Sequence, residues 1–279
     1  CRNTHALTAT NLHRKPISMN RPLWLITVIS LIVISAAWAL PPTSQSLNYH
    51  EFADQRSFMG IPNFNDVVSN LAFLFSGGAG LVLLLRIYQR PSQKTFQQRE
   101  ECIPYGLLFL GVVATTFGSS YYHWIPDNDR LMWDRLPIAI CIVALLSATF
   151  MDRISVKIGL WLLPPLVLLA IVSVLYWYWT ELQGVGNLNL YIVTQFYSIL
   201  LMLWISFRFP SRYTHGGFIY AVIALYGLAK VAETLDEEIF TWTHHWISGH
   251  TLKHLIAAYA VYRIVRMLSE RSIETKKLN

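Results

Sequence analysis

The chain predicts an all-α, polytopic transmembrane helix bundle of seven core spans, preceded by one further N-terminal apolar segment. Three observations carry that expectation. Of 279 residues, 54% are hydrophobic and only 14% charged, against roughly 25% charged in a soluble domain, so polar residues are too few to cover a globule in water. The apolar residues gather in runs, each near the ~20 residues needed to cross a bilayer. The loops joining those runs alternate between basic and acidic, as lysine and arginine do on the two sides of a membrane.

The runs fall at about 23–40, 66–86, 104–122, 131–150, 157–177, 188–207, 217–235 and 247–267. Short connections make neighbouring spans antiparallel, and no repeat or low-complexity linker divides them. The expected division is a polar segment at 1–22, the first apolar run at 23–40, a seven-span domain at 41–268 and a tail at 269–279. The first run has two readings. Met19-Asn-Arg-Pro, the apolar stretch and Ala37-Trp-Ala39 resemble a signal peptide with a small-residue cleavage site; the same run serves as an extra span, which is slightly preferred. Met19 is a candidate natural start, with polar residues 1–18 ahead of it. Under either reading residue 41 begins outside.

Charge sets the orientation. The N-terminal segment carries Arg2, Arg14, Lys15 and Arg21. On the same side fall Arg90, Lys94 and Arg99, then Arg153 and Lys157, then Arg208 and Arg212, and finally Arg263, Arg266, Arg271, Lys276 and Lys277. The alternate loops hold Glu51 and Asp54, Asp127 and Asp129, Glu181, and Asp236, Glu237 and Glu238. The basic loops and the C-terminus are therefore expected in the cytoplasm. The net charge of +6 forms no basic stripe and accompanies no nucleic-acid motif, so no nucleic-acid partner is expected. Cys1, Cys102 and Cys141 show no paired spacing, which gives neither a disulfide framework nor a cysteine metal motif. They read as apolar packing.

Two stretches stand out: Ser119-Ser-Tyr-Tyr-His123, with Asp134 eleven residues further on, and His250-Thr-Leu-Lys-His254. Ionisable side chains at the ends of apolar runs are costly and usually functional. Histidines four apart stand on one helical face and can grip one ion. A third from another helix completes a three-ligand site with an open fourth position, the arrangement of catalytic zinc. The turn Ile-Pro-Asp-Asn-Asp (125–129) is rich in turn formers, which brings His123 and Asp134 together, with Ser119 one helical turn below His123. A lone interfacial histidine is more often a packing residue; the pair, and its agreement in depth with the other three residues, argues for a metal. His244 and His245 are adjacent, so their rings point apart, and they read as loop residues, like His5, His13, His50 and His215. Lys230, Glu233 and Asp236 fall three apart on one face and read as an ion-pair ladder leading outward, the sharper alternative being support behind the zinc ligands.

Taken in order, these motifs resemble the alkaline ceramidase family, part of a superfamily of seven-span membrane hydrolases that includes the adiponectin and progestin receptors. Phe-Asn-Asp-Val-Val-Ser-Asn (64–70) is also similar to that family's Trp-Asn-x-Val-Ser-Asn, and the resemblance covers roughly residues 50–268. It implies a zinc-dependent amidohydrolase that cleaves the N-acyl bond of ceramide-like membrane lipids to a sphingoid base and a fatty acid. His123, His250 and His254 would be the Zn2+ ligands, Asp134 the general base, and Ser119 a group beside the metal. Those residue types suit the chemistry independently: zinc acidifies water and polarises a carbonyl, a carboxylate relays the proton to the leaving amine, and a hydroxyl donates to a developing oxyanion. The chain departs from eukaryotic members at their calcium site. Residues 52–63 offer one carboxylate, Asp54, beside Arg56, whereas calcium takes six to eight oxygens, so calcium is not expected. Two alternatives remain open from sequence: a zinc-containing seven-span receptor, and a hydrolase of ester-linked membrane lipids.

Orientation is checked by thiol labelling. Cysteines introduced in the 125–130 turn should react with an impermeant reagent from the non-cytoplasmic side, and cysteines at 208–215 from the cytoplasm. Labelling of the 125–130 turn from the cytoplasmic side alone contradicts the assignment.

Overall fold

Apolar runs in lipid can satisfy their own backbone groups only as helices or closed barrels, and each run above is helical in the computed structural model, which describes residues 20–90 and 95–274. Cys1, Arg2, His5, His13, Arg14, Lys15, Met19, Lys94, Lys276 and Lys277 lie outside the described residues. The helices are α1 (Asn20–Ala39), α2 (Phe64–Ser69), α3 (Leu71–Gln89), α4 (Cys102–Trp124), α5 (Asn128–Arg153), α6 (Val156–Leu182), α7 (Asn189–Ile192), α8 (Ser198–Arg208), α9 (Phe218–Thr234), α10 (Asp236–Trp242) and α11 (Gly249–Glu270). A π-helical turn, Val193–Tyr197, continues α7 into α8.

Five continuous stretches are long and apolar enough to cross a membrane: Phe64–Gln89, Arg99–Trp124, Asn128–Arg153, Val156–Leu182 and Asn189–Arg208. A sixth is reached if α9 and α10, bent by 80° at their junction, form one broken span. The chain therefore has the character of a multi-pass membrane protein, with five or six spans by length and composition against the seven expected. The shortfall is at α11, where Lys253, Arg263, Arg266 and Glu270 interrupt an otherwise apolar helix. Helix α1 is a unit by itself, separate from the body that runs from Leu40 onward.

Within the body, α4 packs on α3 and α5, α5 on α6, and α11 on α3 and α9. Phe109, Met151 and Leu268, all fully buried, belong to one apolar core shared by α4, α5 and α11. Two glycines permit close backbone approach. A Cβ on Gly118 would lie 2.2 Å from the Trp133 carbonyl of α5, and one on Gly249 would lie 2.1 Å from the Ala232 carbonyl of α9.

The connections sort into two ends by their contacts. At one end Arg271 pairs with Asp152 at 2.8 Å and donates to the Thr95 carbonyl at 3.1 Å, while Arg212 reaches the Met151 carbonyl and Tyr213 reaches Glu101. At the other end Leu188 bonds Thr43 at 2.9 Å, His50 bonds Asn128 at 3.1 Å, and Ala53 donates to Asp236 at 3.0 Å. The basic loops thus share one end and the acidic loops the other.

Candidate metal centre

The site is built where the acidic-end loops meet three helix ends. Helix α4 stops at Trp124, and Asp127 caps α5 by accepting from Arg130 N at 2.7 Å, which neutralises one unpaired amide of the first turn. The tight hairpin and the Gly118 contact bring Ser119 beside Asp134, whose carboxylate accepts from the Ser119 hydroxyl. Both residues are buried. His123, in the last turn of α4, is fully buried, with its backbone carbonyl held by Asn63 Nδ2 at 2.8 Å.

The first turn of α11 supplies the other two histidines. Ser248 caps the helix through Thr251 N at 3.0 Å. Asp236 Oδ1 accepts from His250 N at 2.7 Å, and Asp66 accepts from the hydroxyls of Thr251 and Ser248. Carboxylates at a helix N-terminus also oppose the positive end of its dipole. The result is a fixed pair of α11 imidazoles facing His123 of α4.

The ligand nitrogens of His123, His250 and His254 lie within 4.8 Å of one another, and all three residues are buried. His123 Nε2 and His250 Nε2 are 3.3 Å apart. Ser69 Oγ donates to the Asp66 carbonyl at 3.1 Å and meets His254 Nδ1 at 2.7 Å. Its proton being committed, Ser69 accepts from Nδ1–H, which leaves the His254 Nε2 lone pair free for a ligand bond. That Nε2 is buried without a partner, as is expected of an atom awaiting an ion. Three imidazoles whose nitrogens converge are a borderline donor set suited to zinc and its neighbours. The triad can hold a metal ion.

One feature opposes it. Lys253 Nζ stands 2.7 Å from His250 Nε2 and 3.1 Å from Glu233 Oε1, so the ammonium and an ion compete for the same lone pair. Glu233, which also pairs with Lys230 and accepts from Tyr49 OH at 3.2 Å, gives the ammonium a partner independent of His250. Lys230 and Glu233 therefore pair as expected, and through Lys253 their network reaches the triad rather than only the outer surface. Asp236 leaves the ladder, because α9 ends at Thr234 and the bend carries Asp236 to the His250 amide.

Ser119, Asp134 and His254 line one cavity of about 400 Å³, together with the charged side chains of Arg135, Lys230, Glu233 and Lys253 and with apolar residues such as Leu108, Val112, Ile142 and Ile264. All five residues expected from sequence thus lie in one region. Four contributors were not singled out for a role: Ser69, Asp66, Lys253 and Arg135. Lys253 was legible as the same-face neighbour of His250, three residues on; the other three are fixed by contacts distant in sequence. Asp54 sits elsewhere, its carboxylate engaged by Arg56 at 2.7 Å and Asn65 at 2.8 Å. His50 bonds Tyr122 OH at 3.0 Å, and burial lowers its pKa below the usual imidazole value. His244 and His245 are exposed turn residues with φ of 53° and 64°.

No protein-family model, curated protein or solved structure matches the chain.

The purified protein should carry about one divalent ion per chain, as a three-histidine site does. His250→Ala and His254→Ala should each lose it, Ser69→Ala should weaken it by about 10–100-fold, and Lys253→Met should bind it more tightly by removing a like charge. Elemental analysis with competitive chelation checks this; full metal retention in both histidine variants contradicts the site.

Proposed function

We propose that this chain is a seven-span, zinc-dependent amidohydrolase that cleaves the N-acyl bond of ceramide-like membrane lipids, with its site toward the non-cytoplasmic leaflet. The observation that carries the reading is the convergence of three buried imidazoles, one of which, His254, shares the wall of a single cavity with Asp134 and Ser119. A cavity of about 400 Å³ falls in the size range of small-molecule sites, and apolar walls beneath a polar end suit a lipid chain with its reacting group near the membrane surface. The seventh span is α11, whose charges are absorbed by the site and by the basic end rather than by lipid.

A zinc ion held by His123, His250 and His254 would supply a Lewis acid that polarises the scissile carbonyl and acidifies a water molecule. The chain's own groups do the rest. Asp134 Oδ1 is buried and without a partner, so it has a free lone pair with which to take a proton from an attacking water. The same carboxyl then hands the proton to the leaving nitrogen, without which the amine cannot depart. Ser119 donates one hydroxyl, whose rotor serves Asp134 in the resting site and a developing oxyanion on the substrate carbonyl. The apolar wall excludes water other than the attacking molecule, which strengthens both interactions.

The receptor reading uses the same ion structurally. Structural zinc normally has four protein ligands, whereas the described residues bring three to the group. That difference supports catalysis. Ester and amide lipids would be attacked by the same groups, so lipid mass spectrometry with matched N-acyl and O-acyl substrates decides between them.

Asp134→Asn should retain the metal and lose about 10²–10⁴-fold in turnover. Ser119→Ala should be milder, at most about 2.7–4 kcal/mol for a single oxyanion donor, and both effects should fall on kcat more than on KM. Wild-type turnover in Asp134→Asn removes it as the base, and no turnover by wild type on any acylated lipid favours the receptor.

A further inference from the structure

Arg135 takes no part in the hydrolysis above, yet it is among the most constrained side chains near the site. It follows Asp134 on α5, is 6% exposed, and lines the same cavity. Its guanidinium stands 4.2 Å from the Trp177 ring, 5.0 Å from Tyr191 and 5.4 Å from Tyr49. Its Nη2 donates to Gln45 Oε1, and Nη1 is buried without any partner. Among the described residues it makes no ion pair. Arg271, the other buried arginine among the described residues, shows the contrast, with Nη1 on the Asp152 carboxylate at 2.8 Å and on Tyr105 OH at 3.1 Å.

A guanidinium cannot shed its charge, and a buried charge without a counter-charge is strongly unfavourable. Aromatic rings offset part of that, but they leave Nη1 unsatisfied, and guanidinium N–H groups match a carboxylate or phosphate. No nearby acid bonds to it: Asp134 acts on it only through space, and the unpartnered Asp134 Oδ1 is the atom the hydrolysis uses. Glu233 is engaged by Lys230, Lys253 and Tyr49, and Asp134 makes no hydrogen bond to Arg135 although the two are neighbours in sequence. Arg135, Lys230 and Lys253 face Asp134 and Glu233 around the cavity, leaving one positive charge in excess.

We propose that Arg135 is the receptor for an anionic oxygen group, carboxylate or phosphate, carried by the lipid that occupies this cavity. The ligand is then an anionic amphiphile, its charged group on Arg135 and its chain along Leu108, Val112 and Ile142. A ceramide-like lipid bears no anion of its own, so the group on Arg135 is the carboxylate of the released fatty acid or a phosphate on a phosphorylated headgroup. The inference deepens the hydrolase reading in that sense and rests on it only in taking the cavity as the lipid site.

The test uses probes with no cleavable acyl bond, so it reads independently of turnover and of metal. Equilibrium binding of dodecanol, dodecanoate and dodecyl phosphate is measured on the full chain in zwitterionic nanodiscs. At least one anion should bind about 10–100-fold more tightly than dodecanol, the range of a charge-assisted bond. A preference confined to dodecanoate identifies a carboxylate such as a released fatty acid; one confined to dodecyl phosphate identifies a phosphorylated headgroup. Arg135→Gln should reduce the anions to the affinity of dodecanol while leaving dodecanol unchanged, and Arg135→Lys should recover part of the preference. Gln45→Glu, which supplies an internal counter-charge and keeps the arginine, should also abolish it, and serves if Arg135→Gln fails to fold. Equal affinity for all three probes in the wild type, or an undiminished anion preference in Arg135→Gln or Gln45→Glu, overturns the proposal.

Discussion

The docking of the first turn of α11 is the constraint on which the site depends. A helix start leaves amides unpaired, and here they are taken up by Ser248 at the cap and by Asp236 at the His250 amide. Asp66, buried in the first turn of α2, holds the hydroxyls of Thr251 and Ser248. Ser69, three residues after Asp66, fixes the His254 ring. One short stretch, α2, thus sets both the position of α11 and the tautomer of a ligand. Loosening that turn would move two of the three imidazoles together.

The polar network around the triad has two unlike halves. Lys230, Lys253, Glu233 and Tyr49 are mutually paired, so they can be buried without large penalty. Asp134 and Arg135, consecutive on α5, each retain an unpartnered buried atom. Unsatisfied buried groups are rare enough to need an explanation, and both of these face the same cavity. A ligand that brings a water or an oxyanion satisfies them together, which ties the proposed chemistry and the proposed recognition to one occupant.

Much of this was legible in the sequence because it rests on local rules. His250 and His254 share a face by helical period, and the turn formers at 125–129 fold α5 back on α4, which puts Asp134 beside Ser119, one turn before His123. Among the described residues, Arg212, Arg271 and Asp152 meet in one group of loops and Asp236, His50 and Asn128 in another, as the loop charges suggested. Other parts depend on contacts far apart in the chain. Lys230, Glu233 and Asp236 keep helical spacing, yet the helix breaks after Thr234 and bends by 80°, because Asp236 gains the His250 and Ala53 amides by leaving the ladder. Ser69 lies in the 64–70 motif, which assigns it no role, and Arg135 carries no motif; their significance comes from a histidine and a set of aromatic rings that only the fold assembles. The seven-span count was the weakest expectation, since α11 carries charges that composition alone counts against a span.

The central claim is that His123, His250 and His254 bind one zinc ion with no further protein ligand. X-ray absorption at the zinc edge of the purified, zinc-loaded protein tests it most directly. The account predicts only nitrogen and oxygen neighbours at about 2.0–2.1 Å, with the outer-shell scattering of three imidazoles that drops on His254→Ala. A sulfur neighbour near ~2.3 Å, or a spectrum unchanged by that substitution, contradicts it.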